Sequence, residues 1–350
     1  MQQTVIALLT LTALAAPASS ATAQTLSDQI RTVVRERVDT LRTARYQQGR
    51  EEQTDRQTKT IKIGANGELT LGNIAGDIVV SRANGGEATI EIVKTSRARS
   101  LDEARAMLGL VTVSITERPG RADVKTVYPR DDESRRPGRR NVNVSVAYTV
   151  SAPAGTRIAA GSVSGSIRVS DIKGDLSANT ISGSVRISNA GRIASAKSVS
   201  GNVEILDTET DGAVEVQSIS GNVILRKLTA RRVDVGSISG SVSLDDVRCD
   251  RVEAHSVSGG VEFSGGLAKG GRYELNSHSG DVRIALAGGS GFEVEAHSFS
   301  GSIRSDLALT DQGNRGERPA RHRALRGVFG DGSAVLEITT FSGRVVITKR

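Results

Sequence analysis

Tryptophan is missing from the 350-residue chain, and Phe and Tyr bring the aromatic share to only 3%. A core made from this sequence must be thin and built from small and β-branched side chains, which disfavours a thick-cored enzyme. Cys249 is the single cysteine, so no intrachain disulfide can form and the thiol reads as buried and inert. The apolar run Val5 to Ala16 is too short for the ~20 residues of a membrane-crossing helix, and no later segment is apolar enough to span a bilayer. Pro17, small residues and the small-x-small pattern Ala21-Thr22-Ala23 follow it, which predicts a signal peptide over 1–23 and an exported, soluble product. Met1-Gln2-Gln3-Thr4 lacks the basic residues usual before such a run, and no Cys follows it to carry a lipid anchor. Charge of either sign is not in excess: 46 basic against 39 acidic residues leave +7. That balance permits contact with anionic surfaces without marking a nucleic-acid binder.

What is abundant is glycine, 38 residues, and much of it recurs in one string. Ser/Thr-apolar-Ser-Gly-x-Val/Ile returns with its glycine at Gly165, Gly183, Gly201, Gly221, Gly240, Gly259, Gly280, Gly301 and Gly343, at spacings of 18, 18, 20, 19, 19, 21, 21 and 42 residues. A period of this size with alternating apolar residues predicts an all-β fold, a parallel β-solenoid (β-helix) of about 18–21 residues per coil. The gap of 42 equals two coils and predicts one coil without the motif. Residues two before, two after and four after each glycine, such as Val163, Ile167 and Val169, are almost always apolar and read as one inward face. The glycine reads as pointing to the axis, or sitting at a bend where a side chain would strike the opposite wall. A second strand precedes each motif, as in Val214-Glu215-Val216 and Val233-Asp234-Val235. Phe263, Phe292, Phe299 and Phe341 fall at or near inward positions, and Thr348-Lys349-Arg350 closes the last strand with charge that discourages edge pairing.

From Ile61 to Arg350 the chain resembles the putative-adhesin family of exported bacterial proteins, a domain of unknown function similar to parts of Lia-type envelope-stress proteins. The resemblance rests on Gly72-Asn73-Ile74-Ala75-Gly76-Asp77-Ile78-Val79-Val80, on Pro153-Ala154-Gly155-Thr156, on the nine motifs and on Thr340-Phe341-Ser342-Gly343. It implies a β-solenoid outside the cytoplasm with a role in adhesion or envelope sensing, and it supplies no catalytic residues.

Four segments are expected: the leader, a charged helical segment and linker over 24–60, N-terminal coils over 61–160, and the repeat solenoid over 161–350 with a basic insertion at 306–334. Ile30, Val33, Val34, Val38 and Leu41 predict an N-terminal helix over about 27–45. Ser100-Leu101-Asp102-Glu103 is a capping box for a short helix to about Leu108, with strands at Val111 to Ile115 and Val142 to Val150.

Glu215, Asp234, Glu253, Glu274 and Glu295 stack at coil spacing beside Arg232, Arg251 and Arg272, which reads as a surface ion-pair network. At its C-terminal end Glu274, Glu293, Glu295 and His297 form a candidate hard-cation site; His255, two coils from His297, cannot readily join it. His278 replaces an inward apolar residue and reads as a core histidine. The Ser before each glycine, with Ser or Thr again two residues earlier, reads as an outward hydroxyl ladder that serves turn chemistry rather than glycan or ice adsorption. No His and carboxylate recur beside one distinguished Ser, so nucleophilic catalysis has no support. Two basic segments, one with Arg135, Arg136, Arg139 and Arg140 and one with Arg315, Arg318, Arg321, Arg323 and Arg326, are candidates for an anionic surface. The sequence thus points to a noncatalytic exported module that takes an anionic envelope polymer, lipid headgroups or another envelope protein, with no cofactor and no nucleic acid. The alternative is a polysaccharide-active β-helix enzyme using outward carboxylates such as Glu262 and Asp281 or Asp245 and Asp246.

Overall fold

The computed structural model describes residues 51–129, 142–288, 290–310 and 323–350. The leader, the helix expected over 27–45 and the first basic segment from 130 to 140 lie outside them. The chain divides into two units, Met1–Glu51 and Glu52–Arg350. The second is all-β: 24 strands join one continuous sheet, and Leu101–Leu108 is the single helix among the described residues. That helix starts where the capping box places it. Ser100 Oγ accepts from the Glu103 N–H at 3.2 Å, while the Glu103 carboxylate accepts from the Arg99 N–H at 3.2 Å.

Each glycine motif joins a strand on its N-terminal side to one on its C-terminal side, and both pair in parallel with their counterparts in the next repeat. Asp175–Ser182 runs beside Arg157–Ser164 and Arg192–Ser198, and Val185–Ser188 beside Ile167–Ser170 and Val203–Glu209. The core is the stack of inward residues two and four after each glycine, Ser305 excepted, from Ile167 and Val169 to Val345 and Ile347, and those five and seven before most of them, such as Val214 and Val216. Most are Val, Ile, Leu or Ala, which suits a thin core between pleated strands. Phe263, packed edge-on against Tyr273 with ring centroids 5.5 Å apart, and Phe292, beside Phe329 at 5.5 Å, fill the C-terminal part. Cys249 is buried there, and burial, helped by the Asp250 carboxylate, pushes its thiol up to about 12. It is therefore unreactive at neutral pH.

The repeat glycines have a more specific cause than an opposite wall. A Cβ on any of them from Gly183 to Gly280 would collide with the carbonyl oxygen of the repeat glycine before it, and on Gly165 with that of Gly76. Gly76, in the opening segment, therefore begins the ladder. A second corner is marked six residues after five successive glycines, where Asp171, Asn189, Asp207, Lys227 and Asp246 have φ between 48° and 60°.

Strand order departs from chain order at both ends. Arg121–Val127 and Val144–Pro153 lie outside Glu68–Ala75 and Ile78–Ala83, which separate them from Arg157–Ser164 and Ile167–Ser170. At the other end, Ala334–Thr340 pairs with both Arg272–Ser277 and Phe292–Ser298, and Val345–Lys349 with both Val282–Leu286 and Ile303–Ser305. The Gly343 repeat is inserted between those of Gly280 and Gly301. The two-coil gap is therefore not a coil lacking its motif, and Thr348-Lys349-Arg350 does not guard an open edge. Phe292–Ser298 is instead covered by Ala324–Phe329, which runs antiparallel to it.

Candidate functional site

Alternation along the strand before each glycine decides which side chains face out. Val214 and Val216 point inward, so the period of two carries the inward face to Ser218 and turns Ile219 outward. The same holds in every repeat, which corrects the expected inward position of the residue two before the glycine. Ile74, Val163, Ile181, Val199, Ile219, Ile238 and Val257 are 38 to 50% exposed and stand in one column. Backbone bonds fix the succession, with the Ser200 N–H donating to Ile181 O, Ser220 to Val199 O and Ser239 to Ile219 O. His278, Phe341 and Phe299 continue it. His278 is exposed, not a core histidine, and stacks on Phe341 at 4.9 Å and 11°; Phe341 stacks on Phe299 at 4.7 Å and 9°. Phe299 is 67% exposed, so it and Phe341 are not core residues.

The hydroxyls three before each glycine are buried, contrary to the outward ladder expected of them; only the Ser directly before the glycine is exposed. Ser237 Oγ donates to Gly221 O of the preceding repeat at 2.9 Å and accepts from its own Gly240 N–H at 2.9 Å. Ser218, Ser256, Ser277 and Ser298 make the same two bonds. This pair satisfies polar groups that the bend takes out of the ladder. Ser162 has no partner, because Asn73 Nδ2 already donates to Gly76 O at 2.8 Å.

Beside the apolar column, two residues earlier on each strand, runs a polar one: Gly161, Asn179, Lys197, Gln217, Gly236 and His255. Between them lies a groove of about 780 Å³. On the next rungs a second groove of about 640 Å³ is lined by His278, Phe341, Phe299, His297 and Arg323. Among the described residues, Asp and Glu line neither. The signal that finds this face in a sequence is the inward parity of Ser at a position that also admits Thr.

The acidic column is in register, and Glu337 belongs to it, between Glu274 and Glu295. Arg232 and Arg251 bind Glu253 at 2.9 and 3.1 Å, and Arg272 binds Glu337 at 3.2 Å. The candidate cation residues are not brought together. Glu337 separates Glu274 from Glu295, the Glu295 carboxylate is taken by His297 at 3.0 Å and by Arg326, and Glu293 lies opposite Val335 and Val328. Among the described residues no group of three or more His, Cys, Asp or Glu is placed to hold a metal ion. Of the second basic segment, Arg326 is paired with Glu295 and Arg323 lines the groove. Arg315, Arg318 and Arg321 lie outside the described residues.

Glu262 binds Arg283 at 2.8 Å, while Asp281 binds Arg283 at 3.1 Å and Arg344 at 2.9 Å. The Arg344 backbone N–H and guanidinium hold the Asp281 carboxyl below its usual range, so it is ionised and unsuited to donate a proton at neutral pH. Asp245 and Asp246 are engaged by Arg350 at 3.3 Å and Arg248 at 3.7 Å.

Residues 195–348 match the model of the Toastrack DUF4097 family. The resemblance drawn from the motifs thus holds over that segment, as a domain of unknown function. Solved structures are also similar. One is described as a putative lipid binding protein from Parabacteroides distasonis ATCC 8503, with 14% identity over 84% of this chain and 97% of its own and a TM-score of 0.42. Another is a putative adhesin from Bacteroides fragilis NCTC 9343, with 14% identity, 83% and 96% covered and a TM-score of 0.39. A third is a putative adhesin from Parabacteroides merdae ATCC 43184, with 11% identity, 85% and 96% covered and a TM-score of 0.37. No curated protein matches. No helix among the described residues is long and apolar enough to cross a membrane.

Proposed function

We propose that this chain is an exported, noncatalytic β-solenoid that acts as an adhesin-like interaction module at the cell envelope, and that it binds through the outward apolar column. The parallel ladders at a pitch of 18 to 21 residues support the solenoid, and the short apolar run before Ala21-Thr22-Ala23 supports export. The observation that carries the binding reading is the unbroken column from Ile74 to Val257, continued by His278, Phe341 and Phe299. Apolar side chains exposed singly need no explanation, but a contiguous apolar patch marks an interaction site. The basic segments, with Arg135, Arg136, Arg139, Arg140, Arg315, Arg318 and Arg321, supply a second, salt-sensitive contact to anionic envelope material. Against an enzyme stands the pairing of Glu262, Asp281, Asp245 and Asp246 with arginines; the shifted carboxylates Asp123, Asp281, Glu295 and Asp331 are all lowered, the wrong direction for a general acid.

The test is retention of the purified chain by envelope fractions of its source, with the triple variant I181T/I219T/I238T alongside. Threonine keeps the β-branched shape, so the melting curve stays close to that of the unchanged chain while retention falls by about tenfold or more. Retention unchanged in the variant removes the column from the account. Turnover of an envelope glycan that is lost in Glu262→Gln restores the enzyme reading.

A further inference from the structure

Resting on the reading that this face binds, we propose that its ligand is a single long-chain anionic amphiphile, its acyl tail extended along the aliphatic column and its acid head in the second groove, which His278 and Arg323 line together. The column supplies one Val or Ile side chain at each rung, so the five steps from Val163 to Val257 run about 24 Å at the ~4.8 Å spacing of paired strands. That is the reach of an extended long-chain acyl group. The polar column opposite stands about 7 Å away, two residues along the same strands; its Gly161 leaves the groove open, whereas the space over Gly236 is filled by the His255 ring.

Charge gives the direction. The titratable side chains that line the two grooves are Lys197, His255, His278, His297 and Arg323. Lys197 is occupied by Glu215 at 2.6 Å and His297 by Glu295 at 3.0 Å. His255, His278 and Arg323 have no ion pair among the described residues, and all three sit toward the C-terminal end. An apolar track that finishes in basic groups fits an anionic head on an apolar tail. A second copy of this chain packed face to face fits less well, because among the described residues no Asp or Glu lines the grooves to meet those bases. A glycan fits less well because the track is aliphatic, and the stacked rings of His278, Phe341 and Phe299 turn most of their faces to one another.

Calorimetric titration of the full chain with monomeric palmitate, below its aggregation concentration, tests this. One equivalent binds; octanoate and the cationic hexadecyltrimethylammonium each bind at least about tenfold more weakly, the first for lost apolar contact and the second for its sign. The variant I181T/I219T weakens palmitate at least about tenfold while leaving octanoate nearly unchanged, and H278Q/R323Q weakens palmitate but not hexadecanol. No saturable binding of palmitate overturns the inference. So does a chain that ignores monomeric palmitate yet floats with phosphatidylglycerol vesicles, or binds polygalacturonate through the same isoleucines. If envelope retention still depends on the column in those cases, the interaction-module reading stands and only the ligand class falls. If retention is also indifferent to the column, both fall.

Discussion

Two side-chain positions hold each bend of the ladder, and each yields a local test. In Gly221→Ala the new Cβ meets the carbonyl of Gly201, and only a backbone shift relieves it. We expect a loss of about 2–3 kcal/mol in urea unfolding, against under about 0.5 kcal/mol for Gly212→Ala, where the nearest atom, Thr210 Oγ1, is 3.5 Å away. Ser237→Ala leaves both Gly221 O and the Gly240 N–H without their buried partner and is expected to lose about 1–3 kcal/mol. Ser162→Ala, which removes a hydroxyl that has no partner, is expected to be neutral or stabilising. At the second corner Lys227 holds φ 51° where its neighbours in the column are Asp and Asn. Lys227→Asn should raise stability by about 1 kcal/mol, since asparagine tolerates the left-handed region and the ion pair lost to Asp207, 3.7 Å long and well exposed, contributes little. A loss instead would show that this pair matters more than the backbone. At this scale the repeat glycines and the residues two and four after them were legible, because a fixed spacing survives translation into a ladder. The residue two before the glycine was not: assigning it to the inward face took its parity from beyond the bend, whereas Val214 and Val216 carry the inward face to Ser218.

The elements at the C-terminal end are held by an insertion rather than by succession. Asp281 secures it, accepting from the Arg344 N–H at 2.9 Å and from the Arg344 guanidinium at 2.9 Å. Because its folded pKa is depressed, the stability it contributes is present above the ordinary carboxylate range and is lost as pH falls through the folded value. Asp281→Asn should therefore lower the melting temperature at pH 7, and the difference should close as pH falls through the folded value, where both side chains are neutral. A difference independent of pH would assign the loss to packing. Truncation after Ser333 removes an interior layer and not a tail. Hydrogen exchange should then show Phe292–Ser298 unprotected while Arg157–Ser164 keeps its protection. Retained protection would mean that Phe292–Ser298 has moved onto Arg272–Ser277, a pairing the common motif permits. Periodicity fixes the pitch of such a chain but not the order in which equal layers stack, and for that reason the 42-residue gap read as a vacant coil. The antiparallel cover Ala324–Phe329 has no repeat of its own and gave no signal beyond its basic neighbours.

On the scale of the whole molecule, ten glycine-marked repeats turn one outward aliphatic or aromatic side chain each, His278 excepted, to a common face. The carboxylates Glu262, Asp281, Asp245 and Asp246 are each paired with an arginine. The all-β class and the surface ion pairs were within reach of the sequence, whereas the proposed binding face depended on parity at a bend and the candidate cation site on strand order, neither of which spacing alone determines. The most direct measurement is hydrogen exchange of the full chain with and without envelope extract from its source, read peptide by peptide along the repeats. If the column binds, exchange slows at the residues that flank it, around Asn179 to Ser182, Lys197 to Ser200, Gln217 to Ser220 and Gly236 to Ser239, with the opposite faces unchanged. Protection confined to the charged face that carries Glu262, Asp281 and Arg283, or to the basic segments alone, would contradict it.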